Sequence, residues 1–322
     1  MNNNLCRIGF LGSDEIALPL LNNLQRMEGF SLVAVLTQPD RPSGRGRKVK
    51  PNPIKSWAMQ HGCEVRDPVK PSSEEVLWFA SLQIDLLLVM AYGHILKQDM
   101  LDLAPLGCYN FHASLLPAYR GASPVETALA MGEKKTGVTL MRVISRMDAG
   151  PILDHQIVQI TKLCDGPILR SKIAEACVPL MEKNLPLIRE NEIKESEQDE
   201  TKASYCRKLK KSDGQLNFSL PAEILDNQVR AFSSWPGSFF DFEGQRLRIG
   251  ESRCCIHHTC SPGKVFKSKD DRLLIGTSSC CLEIIQIQKP GGKMLPTADF
   301  LRGFQIPEGS QLKIYSSTSL TR

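Results

Sequence analysis

The chain has 322 residues, of which 42% are hydrophobic and 23% are charged, enough for one large domain or two ordinary ones. A polar start, and the absence of any apolar run of roughly 20 residues, speak against a secretory signal or a membrane span, so we expect a cytoplasmic protein without a membrane partner. The net charge of +5 divides unevenly: residues 1–200 carry 22 Lys and Arg against 24 Asp and Glu, whereas residues 201–322 carry 18 against 11, which favours a polyanionic partner for the C-terminal third.

The first half of the chain alternates between strand-like and helix-like patterns. The apolar run Leu5–Leu11 predicts a strand, and Asp14 is placed to cap a helix over Glu15–Met27. Further strands are predicted at Ser31–Leu36, Ile84–Met90, Cys108–His112, Val138–Ile144 and Ile152–Ile160. Further helices are predicted at Asn52–His61, Ser73–Leu82, Pro124–Met131 and Pro167–Arg189. This alternation is typical of an α/β fold with a mostly parallel sheet and helices on both faces.

The pattern changes after residue 189. Glu190–Lys202 has many charges and almost no apolar side chains, which predicts a linker. Short β-like runs follow, at Ser238–Phe242, Leu247–Ile249, Gly263–Phe266, Arg272–Gly276 and Leu282–Gln288, and predict a small β-barrel or sandwich. The predicted domains are therefore 1–189, a linker 190–207, and 208–322.

The sequence predicts neither a dinucleotide site, nor a disulfide framework, nor a metal site. The segment GFLGSDE after the first strand lacks the GxGxxG set of dinucleotide-binding proteins. The eleven cysteines, with no secretory signal, indicate reduced thiols rather than a disulfide framework. A cluster of soft side chains lacks the paired spacing of zinc sites, so no metal is predicted there; its members are Cys254, Cys255, His257, His258 and Cys260.

Asn110 and His112 are the most informative pair in the sequence. They stand two apart on a predicted strand, so their side chains project from the same face, at the carboxyl edge where open α/β sheets bind ligands. An amide beside an imidazole suits oxyanion stabilisation and proton transfer. On spacing alone, a structural role in satisfying strand-end backbone groups remains open.

The run from His112 to Leu153, HASLLPAYRGASPVETALAMGEKKTGVTLMRVISRMDAGPIL, resembles the signature of the folate-dependent formyltransferases. Matching elements are Asn110, His112, Ser114–Pro117, Arg120–Ala122, Pro124, Thr136–Thr139 and the turn Asp148–Pro151. The resemblance implies a Rossmann-like catalytic domain in which Asn110, His112 and Asp148 form the catalytic group. It also implies a folate site made by Ser114, Leu115, Leu116, Pro117, Met90, Tyr92, Gly93 and Ile95, with 10-formyltetrahydrofolate consumed as the one-carbon donor.

The residue types agree with that chemistry. When an amine attacks the formyl carbon, a tetrahedral oxyanion forms, and Asn110 is hypothesised to donate a hydrogen bond to it. Protonated His112 is hypothesised to donate a second one and to assist proton transfer to the folate nitrogen. Asp148 is hypothesised to orient the His112 ring or to take the proton from the amine.

A basic stretch precedes the second predicted helix. Six basic and no acidic residues lie between Arg41 and Lys55, a charge that suits contact with phosphates and bases. Charge alone is equally consistent with a solvated surface loop. The stretch resembles an insertion in the family members that formylate methionyl initiator tRNA, where it contacts the acceptor end. This resemblance implies tRNA contacts at Arg41, Arg45, Arg47, Lys48 and Lys50, with Arg45 as the principal one.

The C-terminal third also resembles those members. QDETKASYCRKLKKSDGQLNFS and RAFSSWPGSFFDFEGQRLRI are similar to their linker and their OB-like β-barrel domain, which lies along the tRNA. This similarity implies tRNA contacts at Lys208, Lys210 and Lys211 and a monomeric protein, whereas Trp235 is interpreted as a core aromatic.

Other functions remain open on the sequence alone. Enzymes that formylate glycinamide ribonucleotide or sugar amines share the catalytic core but lack either the basic insertion or the same chain organisation. A non-catalytic RNA-binding protein on the same fold is the alternative of a different class. Steeply salt-dependent RNA binding without turnover would favour it.

Overall fold

The computed structural model describes residues 5–43, 48–255, 261–267 and 272–322. The chain divides into two compact units. The first comprises Met1–Ala122, Lys135–Gln159 and Arg170–Tyr205. The second comprises Ser123–Lys134, Ile160–Leu169 and Cys206–Arg322.

Strands and α-helices are each numbered in the order in which they follow one another along the chain. The strands are β1 (Cys6–Gly12), β2 (Phe30–Leu36), β3 (Arg41–Ser43), β4 (Lys48–Lys50), β5 (Glu64–Arg66), β6 (Leu86–Met90), β7 (Cys108–His112), β8 (Arg120–Gly121), β9 (Lys135–Arg142), β10 (Ile152–Gln159), β11 (Tyr205–Cys206), β12 (Ser238–Phe242), β13 (Gln245–Cys255), β14 (Val265–Lys267), β15 (Leu273–Gly276), β16 (Cys281–Gln288) and β17 (Leu295–Pro296). The α-helices are α1 (Leu18–Leu24), α2 (Pro53–Gln60), α3 (Ser73–Ser81), α4 (Gln98–Leu101), α5 (Pro124–Ala130), α6 (Gly166–Arg189), α7 (Ala222–Ala231) and α8 (Thr297–Gly303).

A seven-stranded sheet organises the first unit, in the order β10-β9-β7-β6-β1-β2-β5. The five strands β7, β6, β1, β2 and β5 are parallel to one another. At one edge, β9 pairs antiparallel with β7, and β10 pairs antiparallel with β9. The central strand β6 is buried along its whole length, as its unbroken apolar sequence predicts. The predicted mostly parallel α/β sheet is thus confirmed.

Polar caps set where several helices of this unit begin. Asp14 accepts a hydrogen bond from the amide of Ile16, and so caps a 3-10 turn that leads into α1. Asn52 accepts from two amides at the start of α2, with Pro53 in the first turn. Ser72 and Glu75 form a reciprocal capping box at α3. The helices α2, α3, α5 and α6 begin within one residue of their predicted starts. The helix predicted at Glu15–Met27 is instead a 3-10 turn over Glu15–Ala17 followed by α1, which begins at Leu18 and ends at Leu24.

The second unit contains a six-stranded antiparallel sheet in the order β12-β13-β16-β15-β14, with β17 beside β16. Helix α7 packs against β13 and β16, and α5 packs against α7. The enclosed core is apolar and includes Phe218, Leu225, Phe240, Leu247, Ile275 and Ile284. This unit has the small β-rich character predicted for the C-terminal region, with the helices α7 and α8 in addition.

The segment predicted as a linker packs along the first unit as far as Tyr205. Ser196 exchanges backbone hydrogen bonds with Ile152, at 2.8 and 2.9 Å. Its charged side chains find partners across long sequence distances: Glu195 pairs with Arg142 and Glu200 pairs with Arg120. These glutamates, whose segment has the composition of a solvated linker, therefore form ion pairs within the first unit.

Trp235 lies in the turn before β12 and is 47% exposed, so its interpretation as a core aromatic was wrong.

Within the described ranges nine cysteines are in the thiol form, whereas Cys281 is disulfide-bonded. His257, His258 and Cys260 of the soft cluster lie outside the described residues. Over the described ranges, no group of three or more His, Cys, Asp or Glu side chains is arranged to hold a metal ion. Of the helices in those ranges, none combines the length and apolar character needed to cross a membrane.

Candidate active site

Strand β7 carries Asn110 and His112 to the carboxyl edge of the parallel part of the sheet. Asn110 lies opposite Val89 of β6 and Met141 of β9, and His112 lies opposite Thr139. The side chains point to the same face because residues two apart on a strand do so. His112 is only 6% exposed, whereas Asn110 is half-buried.

The His112 ring is held between a backbone carbonyl and a carboxylate. Its Nε2 lies 3.0 Å from the carbonyl oxygen of Tyr119, which can only accept, so Nε2 carries a hydrogen and donates it. Its Nδ1 faces Asp148, 3.7 Å from Oδ2. That distance is too long for a hydrogen bond but short enough for an ion pair. Of the two ring nitrogens, Nδ1 is therefore the one that is not committed to a backbone carbonyl.

Asp148 stands at the start of a tight turn. Its backbone φ is +50°, a left-handed conformation that few non-glycine residues adopt, and its Oδ2 accepts the amide hydrogen of Gly121 at 2.8 Å. Two residues on, a Cβ at Gly150 would collide with the carbonyl oxygen of Arg142, so only glycine fits there. The predicted catalytic trio is thus brought together in part: the structure places Asp148 beside His112.

The Asn110 side chain differs from those of His112 and Asp148 in having no hydrogen-bond partner among the described residues. Across the described ranges, its side-chain amide makes no hydrogen bond. A half-buried primary amide carries two donors, which remain available to a ligand group beside His112.

The predicted folate loop Ser114–Pro117 follows β7 directly. Thr139 of β9 holds it, because its hydroxyl donates to the Ser114 carbonyl at 2.7 Å and accepts from the Leu116 amide at 3.0 Å. The Ser114 hydroxyl donates to the Ala118 carbonyl at 2.6 Å, so this side chain shapes the loop from within. Leu116 is buried, whereas Leu115 and Pro117 are half-buried.

The second predicted folate segment, Met90–Ile95, follows β6. Met90 and Tyr92 are buried, Ile95 is 79% exposed, and Gly93 has a φ of +78°. The Tyr92 hydroxyl and the His94 Nε2 are buried with no hydrogen-bond partner among the described residues. Burial, aided by the positive charges of Arg41 and Lys70, lowers the pKa of His94.

Two residues that the sequence did not single out hold this segment. Gln38 Nε2 donates to the carbonyl of Tyr92 at 2.6 Å, and the Ser13 hydroxyl donates to the carbonyl of Ala91 at 2.9 Å. Ser13 follows β1 and Gln38 follows β2, and these two parallel strands end at the same edge of the sheet. A polar residue at such a strand end is the signal that could have identified them.

The basic stretch forms a short hairpin of β3 and β4, with Arg41 opposite Lys50. Arg41 is exposed and donates to the Gln38 side chain at 2.6 Å. Lys48 and Lys50 lie on β4, and Arg45 and Arg47 lie outside the described residues. At the base of the hairpin is an open cavity of about 320 Å³, lined by Ser13, Gln38, Pro39, Arg41, Pro51, Asn52 and Pro53.

In the second unit, the predicted tRNA contacts Lys208, Lys210 and Lys211 are all exposed. They flank Leu209, which is buried. Arg207 and Asp213 form an ion pair at 2.7 Å that is mostly shielded from solvent, and Asp213 also accepts the Lys210 amide at 2.7 Å. This pair fixes the backbone from which the three lysines project.

Both parts of the chain match described families. Residues 7–181 match Formyl transferase, and residues 208–305 match Formyl transferase, C-terminal domain. Among curated proteins, the chain is 36% identical over 307 residues to the methionyl-tRNA formyltransferase of Geobacter sulfurreducens, covering 95% of this chain and 96% of that protein. It is 33% identical over 313 residues to the methionyl-tRNA formyltransferase of Bacillus subtilis, covering 96% and 98%.

Solved structures share the fold at lower identity. An N-formyltransferase from Helicobacter canadensis, in complex with folinic acid and dTDP-3-aminofucose, aligns with a TM-score of 0.66 at 20% identity, over 89% of this chain and 100% of that one. HypX from Aquifex aeolicus, in complex with tetrahydrofolic acid, aligns with a TM-score of 0.58 at 18% identity, over 96% of this chain and 51% of that one.

Proposed function

This chain belongs to the formyl transferase family, and from that premise we propose that it transfers the formyl group of 10-formyltetrahydrofolate to the α-amino group of methionyl initiator tRNA. The product is N-formylmethionyl-tRNA, which serves translation initiation. The observation that carries this proposal is the match to methionyl-tRNA formyltransferases along 95% of the chain, including both family regions. We propose further that the protein acts as a monomer in the cytoplasm.

We assign the chemistry to Asn110, His112 and Asp148. The amine attacks the formyl carbon, a carbon–nitrogen bond forms, and the carbonyl electrons move onto oxygen. Asn110 stabilises this oxyanion because its amide donors have no protein partner among the described residues. Asp148 accepts the proton that leaves the amine.

Collapse of the tetrahedral intermediate needs a proton at the leaving nitrogen. His112 in its protonated form supplies it from Nδ1, since Nε2 is already committed to the Tyr119 carbonyl. As the carbonyl reforms, the bond from carbon to the folate nitrogen breaks and that nitrogen takes the proton. Once the pair closes from 3.7 Å to hydrogen-bonding distance, Asp148 returns the amine proton to Nδ1 of His112, so protons balance over the cycle.

We assign the folate to the edge formed by Ser114–Pro117 and by Met90, Tyr92, Gly93 and Ile95. Support comes from the tethered backbone of both segments and from the buried Tyr92 hydroxyl, which has no described protein partner. We assign the tRNA to the basic hairpin and to the lysines at 208, 210 and 211. The charge of these regions supports this assignment, because phosphates attract such side chains.

The test is a formylation assay with separate acceptors. Purified protein, 10-formyltetrahydrofolate and charged initiator tRNA are mixed, and formyl-methionine is measured. Free methionine, glycinamide ribonucleotide and a dTDP-linked amino sugar are run in parallel. Product on tRNA alone is expected. Transfer to a small amine instead would keep the catalytic group and reject the tRNA assignment, whereas salt-dependent RNA binding without turnover would reject catalysis.

A further inference from the structure

Gln198, in the segment that the sequence presents as a linker, joins the two loops of the catalytic group. It is 7% exposed, and both the oxygen and the nitrogen of its side-chain amide have partners in the first unit. Its Oε1 accepts from Nε and Nη2 of Arg120, at 3.1 and 2.8 Å. Its Nε2 donates to the carbonyl oxygens of Asp148 and Gly150, at 2.9 and 2.8 Å. One side chain therefore ties the loop after β7 to the turn that carries Asp148.

Arg120 completes the connection from the other side. Its guanidinium is fully buried and also donates to both carboxylate oxygens of Glu200, at 2.9 and 3.1 Å. The hydrogen bonds to Glu200 raise the pKa of Arg120 further, so the guanidinium stays charged. Ser204 adds two further contacts: its hydroxyl accepts from the Tyr119 amide at 2.9 Å, and its carbonyl accepts from the Arg120 amide at 2.8 Å.

The neighbours of Arg120 are the groups that hold the catalytic side chains. Tyr119 supplies the carbonyl that accepts from His112, and Gly121 supplies the amide that binds Asp148. Tyr119, like Asp148, has a left-handed backbone, with φ of +59° against +50°. Because such conformations are rare away from glycine, they persist where surrounding contacts fix them.

We infer that Gln198 and Arg120 are positioning residues, which set the separation of His112 from Asp148 without touching substrate. The inference rests on the proposed formyl transfer. Glutamine is suited to this place because it both accepts from a cation and donates to two carbonyls. A glutamate would keep the contact with Arg120 but would set a carboxylate against the carbonyls of Asp148 and Gly150.

The test uses Gln198→Glu and Gln198→Met, with Gln156→Glu as the matched control, since Gln156 is exposed on β10 of the same unit. We expect kcat to fall roughly 10- to 100-fold in both Gln198 variants, in line with the effect of a displacement of about 1 Å. The KM for tRNA and the affinity for folinic acid, used as an unreactive folate, should stay within about twofold. The pH dependence of kcat should also change, because the spacing of the His112–Asp148 pair changes.

Folinic acid binding gives the fraction of folded sites, so kcat is expressed per site even if a variant is less stable. Full kcat per site in both Gln198 variants would overturn the inference. A loss that disappears after this correction, or one shared equally by folinic acid affinity, would overturn it too, because the role would then be structural. A wild-type protein that formylates nothing would instead reject the proposed function.

Discussion

Buried polar side chains have different roles in the two units. In the first unit, four of them hold one loop and one turn by defined hydrogen bonds: Ser114, Arg120, Thr139 and Gln198. In the second unit, buried Thr277 and Thr297 donate to backbone carbonyls beside an apolar core, at 2.7 Å each. Substitutions in this loop and turn of the first unit should therefore change reaction rates, whereas those in the second unit should change stability or tRNA affinity.

The sharpest contrast is expected from Asn110→Ala. Loss of the oxyanion donor should reduce kcat by about 10²–10³, since the developing charge loses a preorganised hydrogen bond. Folinic acid binding and the thermal unfolding midpoint should change little, because Asn110 has no described protein partner to lose. Single-turnover formylation measures the effect. Turnover near that of the wild type would remove Asn110 from the catalytic group.

Thr139→Val tests whether the folate loop depends on its polar tether. The substitution leaves the Ser114 carbonyl and the Leu116 amide unpaired in a buried place, at a cost of about 1–3 kcal/mol for each such group. We expect folinic acid to bind roughly tenfold more weakly, a change of about 1.4 kcal/mol. Thr161→Val, at an exposed position of the second unit, is the control. Unchanged affinity, measured by titration calorimetry, would separate this loop from folate binding.

Replacing Lys208, Lys210 and Lys211 together by glutamine tests whether the second unit binds the tRNA backbone. If each lysine meets a phosphate, the slope of log affinity for tRNA against log salt should fall by about one for each, while kcat at saturating tRNA is kept. The control triple replaces the exposed Lys97, Lys162 and Lys194. Equal slopes in the two triples would show that the three lysines do not contact the tRNA backbone.

The catalytic strand was predictable because its information is local. A period of two places Asn110 and His112 on one face, and an unbroken apolar run identifies β6 as buried. The roles of Gln198 and Glu200 were not predictable, since their partner Arg120 lies 78 and 80 residues away and their segment has the composition of a linker. The prediction that Trp235 is a core aromatic was wrong because it relied on residue type alone. The turn before β12 leaves this side chain exposed.

The smallest effect is expected in the apolar core of the second unit. Ile284 is 1% exposed on β16, and Ile284→Val removes one methylene with no hydrogen bond at stake. The free energy of unfolding should fall by about 0.5–1.5 kcal/mol, while kcat and both KM values stay within about twofold. Ile157→Val on β10, where the side chain is 45% exposed, should change stability by less than about 0.5 kcal/mol. Urea unfolding of both variants measures the difference. A drop in kcat for Ile284→Val without loss of stability would mean that the second unit's core also affects the reaction, because packing alone would then fail to account for the change.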